Sequence, residues 1–302
     1  MKVKESIIGF VVGDALGLPL KFTSRHEHEV TPVFDMQGYK THDMPPGTWS
    51  DSTSLTLATI TSILNKKSIK YDDIMNEFCE WFYNGKYTQY NNTFDYGITT
   101  ATAINKFKKG LAIDKCGGKS ERYTNNEALM RILPLAFFKK PQTQKIEYIC
   151  SLTHNHERSK IACVLYVEIA KSMIKNDLSI EEHVKITSKK VANYYEKSVE
   201  LINFQRIFNN RFVGGVNSGC DVIETLEAVI YCLDTTTSYK DAVLKAINLG
   251  GDANVTASLC GGLAGIFYGL RQIPIDWIEQ IPQIDKVISL CENYDEFCES
   301  YW

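Results

Sequence analysis

The chain has 302 residues, of which 44% are hydrophobic and 23% charged, and its formal net charge is −3. That length is enough to bury a large core. The two short basic runs, 66–70 and 106–110, are separate and read as solvated faces, so no nucleic-acid partner is expected.

Helical periodicity dominates, with apolar positions recurring at three- and four-residue spacing. The first helical run, 3–18, carries Gly9, Gly13, Asp14 and Gly17. Its basic and then apolar start faintly suggests a signal peptide, but Asp14 cuts the apolar run short and no small-residue cleavage site follows. Glycines four apart let a helix backbone approach a neighbour closely. A carboxylate inside an apolar helix, such as Asp14, needs a partner or a loop amide. The next runs are 52–66, entered through Ser50, Asp51 and Ser52, then 71–83, then 97–108 behind Phe94, Asp95, Tyr96 and Gly97. The run 127–138 follows Asn125 and Asn126 and contains Met130, Arg131 and Pro134, and Thr153 and His154 lead into 157–176. Runs at 180–195, 219–233 and 239–248 precede 254–271, which opens beside Asp252. Glycines 261, 262 and 265 and the end at Arg271 favour a buried helix over a membrane span for that segment. A last run covers 284–301.

Strand-like alternation is scarce, and no repeat or linker divides the chain. The expected architecture is a compact all-α single domain over 1–302, with function in the loops between helices. The nine cysteines form no CxxC pair; Cys79, Cys150, Cys163, Cys232 and Cys260 lie in apolar surroundings and read as small core residues. A reducing, cytoplasmic setting and no membrane association are expected.

The polar helix mouths carry the chemistry. Hard divalent cations take oxygen ligands. Asp51 and Asp252 offer carboxylates, and Ser50, Ser52 and Asn254 offer neutral oxygens. The same residue types are preferred helix N-caps, so both readings stand at this point. Asp95, Gly97, Asn126, Met130 and His154 lie in or beside polar segments ahead of helices. Such loops build nucleotide pockets from backbone N–H groups, although each residue also suits a cap or a satisfied core group.

Seven segments, taken in order, resemble the ADP-ribosylglycohydrolase family, also called the dinitrogenase-reductase-activating glycohydrolase family: 9–22, 47–58, 94–100, 125–136, 152–159, 218–233 and 250–269. The resemblance implies a compact all-α fold with a cleft for ADP-ribose. It implies two Mg²⁺ or Mn²⁺ ions that help cleave the bond between ribose C1 and a modified side chain. It places Asp14, Asp95, Gly97, Asn126, Met130 and His154 among the ligand-binding positions.

The departures fall on the positions that the resemblance marks as catalytic or metal-binding. Lys21 stands where the family pattern has Glu, Ser52 and Asn254 where it has Asp, and Val255 where it has Thr; Thr256 lies one position further along. Ser50, Asp51 and Asp252 remain. Three carboxylates are absent and one ammonium is added, which together match the charge of two divalent ions. An ammonium about 4 Å from a dication is repelled by roughly 8 kcal/mol at an effective dielectric near 20. The expectation is therefore that Lys21 takes the ions' space and that no cofactor is held. A residual Mg²⁺ or Mn²⁺ on Ser50, Asp51, Asp252 and Asn254 is the alternative. Glu127 replaces a glycine that lets backbone approach the diphosphate, and an outward Glu127 leaves that binding intact.

Three functions follow. The first is binding of an ADP-ribose-like molecule or an ADP-ribosylated protein without standard two-metal hydrolysis. The second is hydrolysis by an altered one-metal or metal-free mechanism, with Asp51 or Asp252 as general base. The third is an interaction protein with a vestigial, filled cleft.

Overall fold

The computed structural model describes residues 2–138, 143–209, 212 and 214–301. Its helices run in the order α1 Val3–Gly17, α2 Arg25–Val30, α3 Asp51–Lys66, α4 Tyr71–Asn84, α5 Ile98–Lys108, α6 Thr143–Ser151 and α7 Glu157–Lys175. They continue as α8 Ile180–Tyr194, α9 Gln205–Phe208, α10 Val222–Asp234, α11 Tyr239–Asn248, α12 Ala253–Tyr268, α13 Ile275–Glu279 and α14 Ile284–Tyr301. Among the described residues the only β-type pairings are two isolated bridges, Gly118 with His154 and Asn125 with Asp221. The all-α expectation holds.

The run expected as one helix over 127–138 is instead two 3₁₀ segments, Asn126–Arg131 and Leu133–Phe137. Pro134 sits in the first turn of the second segment and lacks the N–H that a continuous α-helix requires. Helix α6 was not anticipated; it buries Ile146, Ile149 and Cys150, too short a stripe to stand out from its charged surroundings. The five cysteines read as core residues are all buried, and the nine are free thiols.

Helices α1 and α12 form the centre and touch each other more extensively than any other pair of elements among the described residues. The glycines make this approach work. A Cβ on Gly9 would stand 2.3 Å from the Gly261 carbonyl oxygen, one on Gly13 2.1 Å from that of Ala257, and one on Gly17 2.4 Å from Asn254 Cα. The seam ends where the two functional segments begin: α1 delivers the chain to Lys21 as α12 starts beside Asp252. Buried tyrosines tie neighbours to this centre, with Tyr239 donating to the Gly9 carbonyl at 2.7 Å and Tyr166 to that of Leu259 at 2.9 Å. No described helix is long and apolar enough to cross a membrane.

The seam makes a direct prediction. Gly13→Ala forces backbone against backbone and is expected to cost about 1–3 kcal/mol. A Cβ on Gly262 meets the movable end of Leu133 at 2.7 Å, so Gly262→Ala is expected to cost less. Urea unfolding midpoints of the two variants check the order; equal loss would mean that the seam yields as easily as a side chain.

Candidate functional site

The site grows from Asp14. It is fully buried in α1 and accepts four hydrogen bonds from the start of α3: Ser50 N–H at 3.0 Å, Ser50 Oγ at 2.6 Å, Thr53 N–H at 3.0 Å and Thr53 Oγ1 at 2.7 Å. Burial raises its pKa, and these donors oppose the rise. Asp14 thus meets the partner requirement visible in the sequence, but it stands behind the cleft rather than lining it.

Ser50 is the N-cap of α3, and its Oγ accepts from Ser52 N–H at 3.1 Å and from Asn254 Nδ2 at 3.0 Å while donating to Asp14. That hydroxyl has no lone pair left for a cation. The capping reading is therefore fulfilled at Ser50. Asp252 precedes α12 but makes no side-chain cap; its Oδ2 accepts from Asn126 Nδ2 at 2.8 Å. Thr256 turns to the Ser218 hydroxyl at 2.9 Å.

A cleft of about 340 Å³ opens between these segments, and Lys21, Asp51, Asp95, Gly97, Asn126, Met130 and Asp252 line it. The sequence reading thus assembled seven of its residues in one place. Phe22, Tyr96, Ile98, Asn125, Glu127 and Cys220 complete the wall. The exposed rings of Phe22 and Tyr96 stand at the rim. Phe22 adopts a positive φ of 63°, held by its N–H donating to the Gly251 carbonyl at 2.6 Å. That turn sends Lys21 inward beside Asp252 and leaves Phe22 outside.

Lys21 Nζ donates to both carboxylate oxygens of Asp95, at 2.9 and 2.8 Å, and lies 4.0 Å from Asp252 Oδ1. Burial alone would lower its pKa, but Asp51, Asp95 and Asp252 overcome that and raise it, so the ammonium is charged. Burial raises the pKa of Asp51 well above the usual carboxylate range and also raises that of Asp252. Asp51 Oδ1, Ser52 Oγ, Asp252 Oδ1 and Asn254 Oδ1 are buried without a hydrogen-bond partner. Among the described residues, one group of three His, Cys, Asp or Glu ligand atoms converges within 4.8 Å: Glu121, His156 and Glu200, which line no part of the cleft. Arg158 already bridges its two carboxylates, at 3.0 and 2.8 Å.

Glu127 points inward. Its Oε2 accepts from Thr100 N–H at 2.8 Å and Thr100 Oγ1 at 2.6 Å, and its Oε1 accepts from Asn125 Nδ2 at 2.9 Å. The carboxylate caps α5, whose own N-cap, Gly97, has no side chain. A Cβ on Gly97 would lie 1.9 Å from Glu127 Cδ, so the glycine makes room for the carboxylate. His154 lies behind this arrangement. It is fully buried, bonds Thr153 Oγ1 through Nδ1 at 2.6 Å and meets Asn125 Oδ1 through Nε2. Burial and nearby Arg131 lower its pKa well below the usual value, so it is neutral. The lone-histidine reading as a satisfied core group therefore describes its place in the fold. The one signal in the sequence for Glu127 was its replacement of glycine; nothing there marked Thr100 or Asn125 as its holders.

The ADP-ribosylglycohydrolase family model matches residues 1–301. A protein of Serratia proteamaculans named ADP-ribosylarginine hydrolase Tri1 is 27% identical over 299 residues, covering 97% of this chain and 78% of that one. ADP-ribosyl-[dinitrogen reductase] glycohydrolase of Rhodospirillum rubrum is 26% identical over 301 residues, covering 94% and 95%. A solved structure titled ADP-ribosylglycohydrolase-related protein complex superposes with a TM-score of 0.83 at 21% identity, covering 98% of each chain.

The buried ion pair sets a prediction. Lys21→Met strands Asp95 and Asp252 without their cation and is expected to lower stability by about 3–5 kcal/mol, most of it recovered when Asp95→Leu is added. Chemical denaturation of the single and double variants checks this; no recovery would mean that Asp95 is not the principal partner.

Proposed function

The chain belongs to the ADP-ribosylglycohydrolase family, and from that premise we propose that its cleft binds the ribosyl end of an ADP-ribose-related ligand or ADP-ribosylated partner without two-metal hydrolysis. The observation that carries this is Lys21, whose ammonium is chelated by Asp95 and stands 4.0 Å from Asp252. Bound divalent ions supply Lewis acidity and an activated water. That chemistry needs anionic anchors, and the cleft does not fit it. A fixed positive charge lies among the carboxylates, Ser50 Oγ is fully engaged, and among the described residues no three cleft ligand atoms of the His, Cys, Asp or Glu type converge. The metal site is in this sense degenerate. The residues that remain can still orient a ligand: Asn126 holds Asp252 in place, and Asp51 and Asp252 turn unpaired oxygens inside the cleft wall, where ligand hydroxyls are suitable donors.

A second reading, an active hydrolase of altered mechanism, draws on the unpaired oxygens of Asp51, Asp252 and Asn254. Those acceptors also suit one cation or a water, with Asp51 or Asp252 as base. Release of free ADP-ribose from a modified protein, abolished by Asp252→Ala, is the outcome that favours it. A vestigial, filled cleft has no support in a cavity of about 340 Å³.

Calorimetric titration with ADP-ribose is expected to give weak binding that Mg²⁺ leaves unchanged, and the purified protein is expected to carry no stoichiometric Mg²⁺ or Mn²⁺. Lys21→Glu, Ser52→Asp, Asn254→Asp and Val255→Thr together are expected to bring Mn²⁺ binding, read by electron paramagnetic resonance. Tight, Mg²⁺-dependent ADP-ribose binding by the unaltered protein would overturn the metal-free reading.

A further inference from the structure

We infer that Glu127 is a built-in occupant of the cleft's anion site, so that the cleft disfavours diphosphates and takes phosphate-free ribosyl compounds, best those with a cationic base. The inference rests on the ribosyl-ligand reading and narrows it to a substrate class.

A helix N-terminus that opens into a cleft is an anion site, because its first N–H groups lack partners within the helix. Helix α5 has such an end, with Gly97, Ile98 and Asn125 all lining the cleft. The third N–H of that helix and the hydroxyl of the same residue, Thr100, are both given to Glu127. The space above Gly97 is filled by the same carboxylate. A ligand phosphate meets two of the donors at this helix end, the Thr100 N–H and hydroxyl, already taken and a negative charge in its place.

The carboxylate is held by a directional chain. Arg131 donates to Thr153 Oγ1, whose own proton goes to His154 Nδ1. His154 then carries its proton on Nε2 and donates to Asn125 Oδ1. This fixes the Asn125 amide, because Nδ2 must face a carboxylate that only accepts. The chain ends on Asn125 Nδ2 facing Glu127, so buried partners hold the inward rotamer in place.

The charge balance points the same way. Four carboxyl groups, Asp51, Asp95, Glu127 and Asp252, line the cleft against one lining cation, Lys21, which Asp95 already engages through both oxygens; burial raises the pKa of Asp51 and Asp252, so the balance rests on Glu127 rather than on those two. His42, 3.8 Å from Asp95, has its pKa lowered by burial and adds no charge. Independently, Asp51 and Asp252 are 2% and 4% exposed, and Oδ1 of each lacks a hydrogen-bond donor, with the Lys21 ammonium 4.0 Å from that of Asp252. Hydroxyls or a cationic base satisfy such acceptors, and phosphate oxygens do not. The exposed faces of Phe22 and Tyr96 at the rim suit a flat, cationic ring.

Calorimetry with two probes, ADP-ribose and the pyridinium nucleoside nicotinamide riboside, tests this on the unaltered protein, Glu127→Gly and Glu127→Gln. The unaltered protein is expected to prefer the riboside. Glu127→Gly is expected to tighten ADP-ribose binding by at least about tenfold and to leave riboside binding equal or weaker. Glu127→Gln keeps the shape without the charge and is expected to fall between, which covers a glycine variant that does not fold. ADP-ribose affinity equal in the unaltered protein and a folded Glu127 variant overturns the inference and leaves the ribosyl reading standing. Absence of binding by either probe to any folded form overturns both.

Discussion

The Asp14 carboxylate is the point on which the site depends. It is taken fully out of water in the last turn of α1 and answered by four donors from one turn of α3. A buried carboxylate is tolerable only with such compensation, so the first turn of α3 has little freedom to move relative to α1. The glycine seam fixes α12 against the same helix. Asn254 closes the triangle by donating to Ser50 Oγ. Three helix ends are thereby locked together before any ligand is considered, and Asp51 and Asp252 come to the cleft because of that lock.

What stands between those ends is a buried ion pair. The Lys21–Asp95 pair is no argument for stability in itself, because desolvating two charges offsets most of their attraction. Its consequence is positional. The positive φ of Phe22 and its bond to Gly251 force the ammonium inward, where three carboxylates hold it charged against the effect of burial.

Most of this fold was legible in the sequence because helices bury stripes, and a stripe leaves a period. The run 127–138 was misjudged because its apolar content obeyed that period while Pro134 denied it the hydrogen bond. The cleft was legible from the polar segments ahead of helices together with the resemblance, and seven of the residues so singled out line it. Direction was not legible. Asp14 and His154 are polar groups of the expected type that face the interior; apart from Thr153 beside His154, the partners that claim them, Ser50, Thr53 and Asn125, lie 29 or more positions away in the chain. For Glu127 the sequence left the outcome conditional on where it points; its inward turn depends on Thr100 and Asn125 supplying donors and on Gly97 supplying room.

Lys21 and Glu127 share one logic in this reading. Each is a tethered charge held by its own partners: an ammonium among carboxylates, a carboxylate at a helix N-terminus. Tethering matters because a side chain competes at an effective concentration far above that of a free ligand. Its ordering entropy is also met during folding rather than at binding. An outside diphosphate would have to displace Glu127 from three donors and leave that carboxylate without them in a largely buried wall. On the proposed reading, a ribosyl group that leaves Glu127 undisturbed incurs no such loss, and the contact the cleft makes with itself is what selects the ligand.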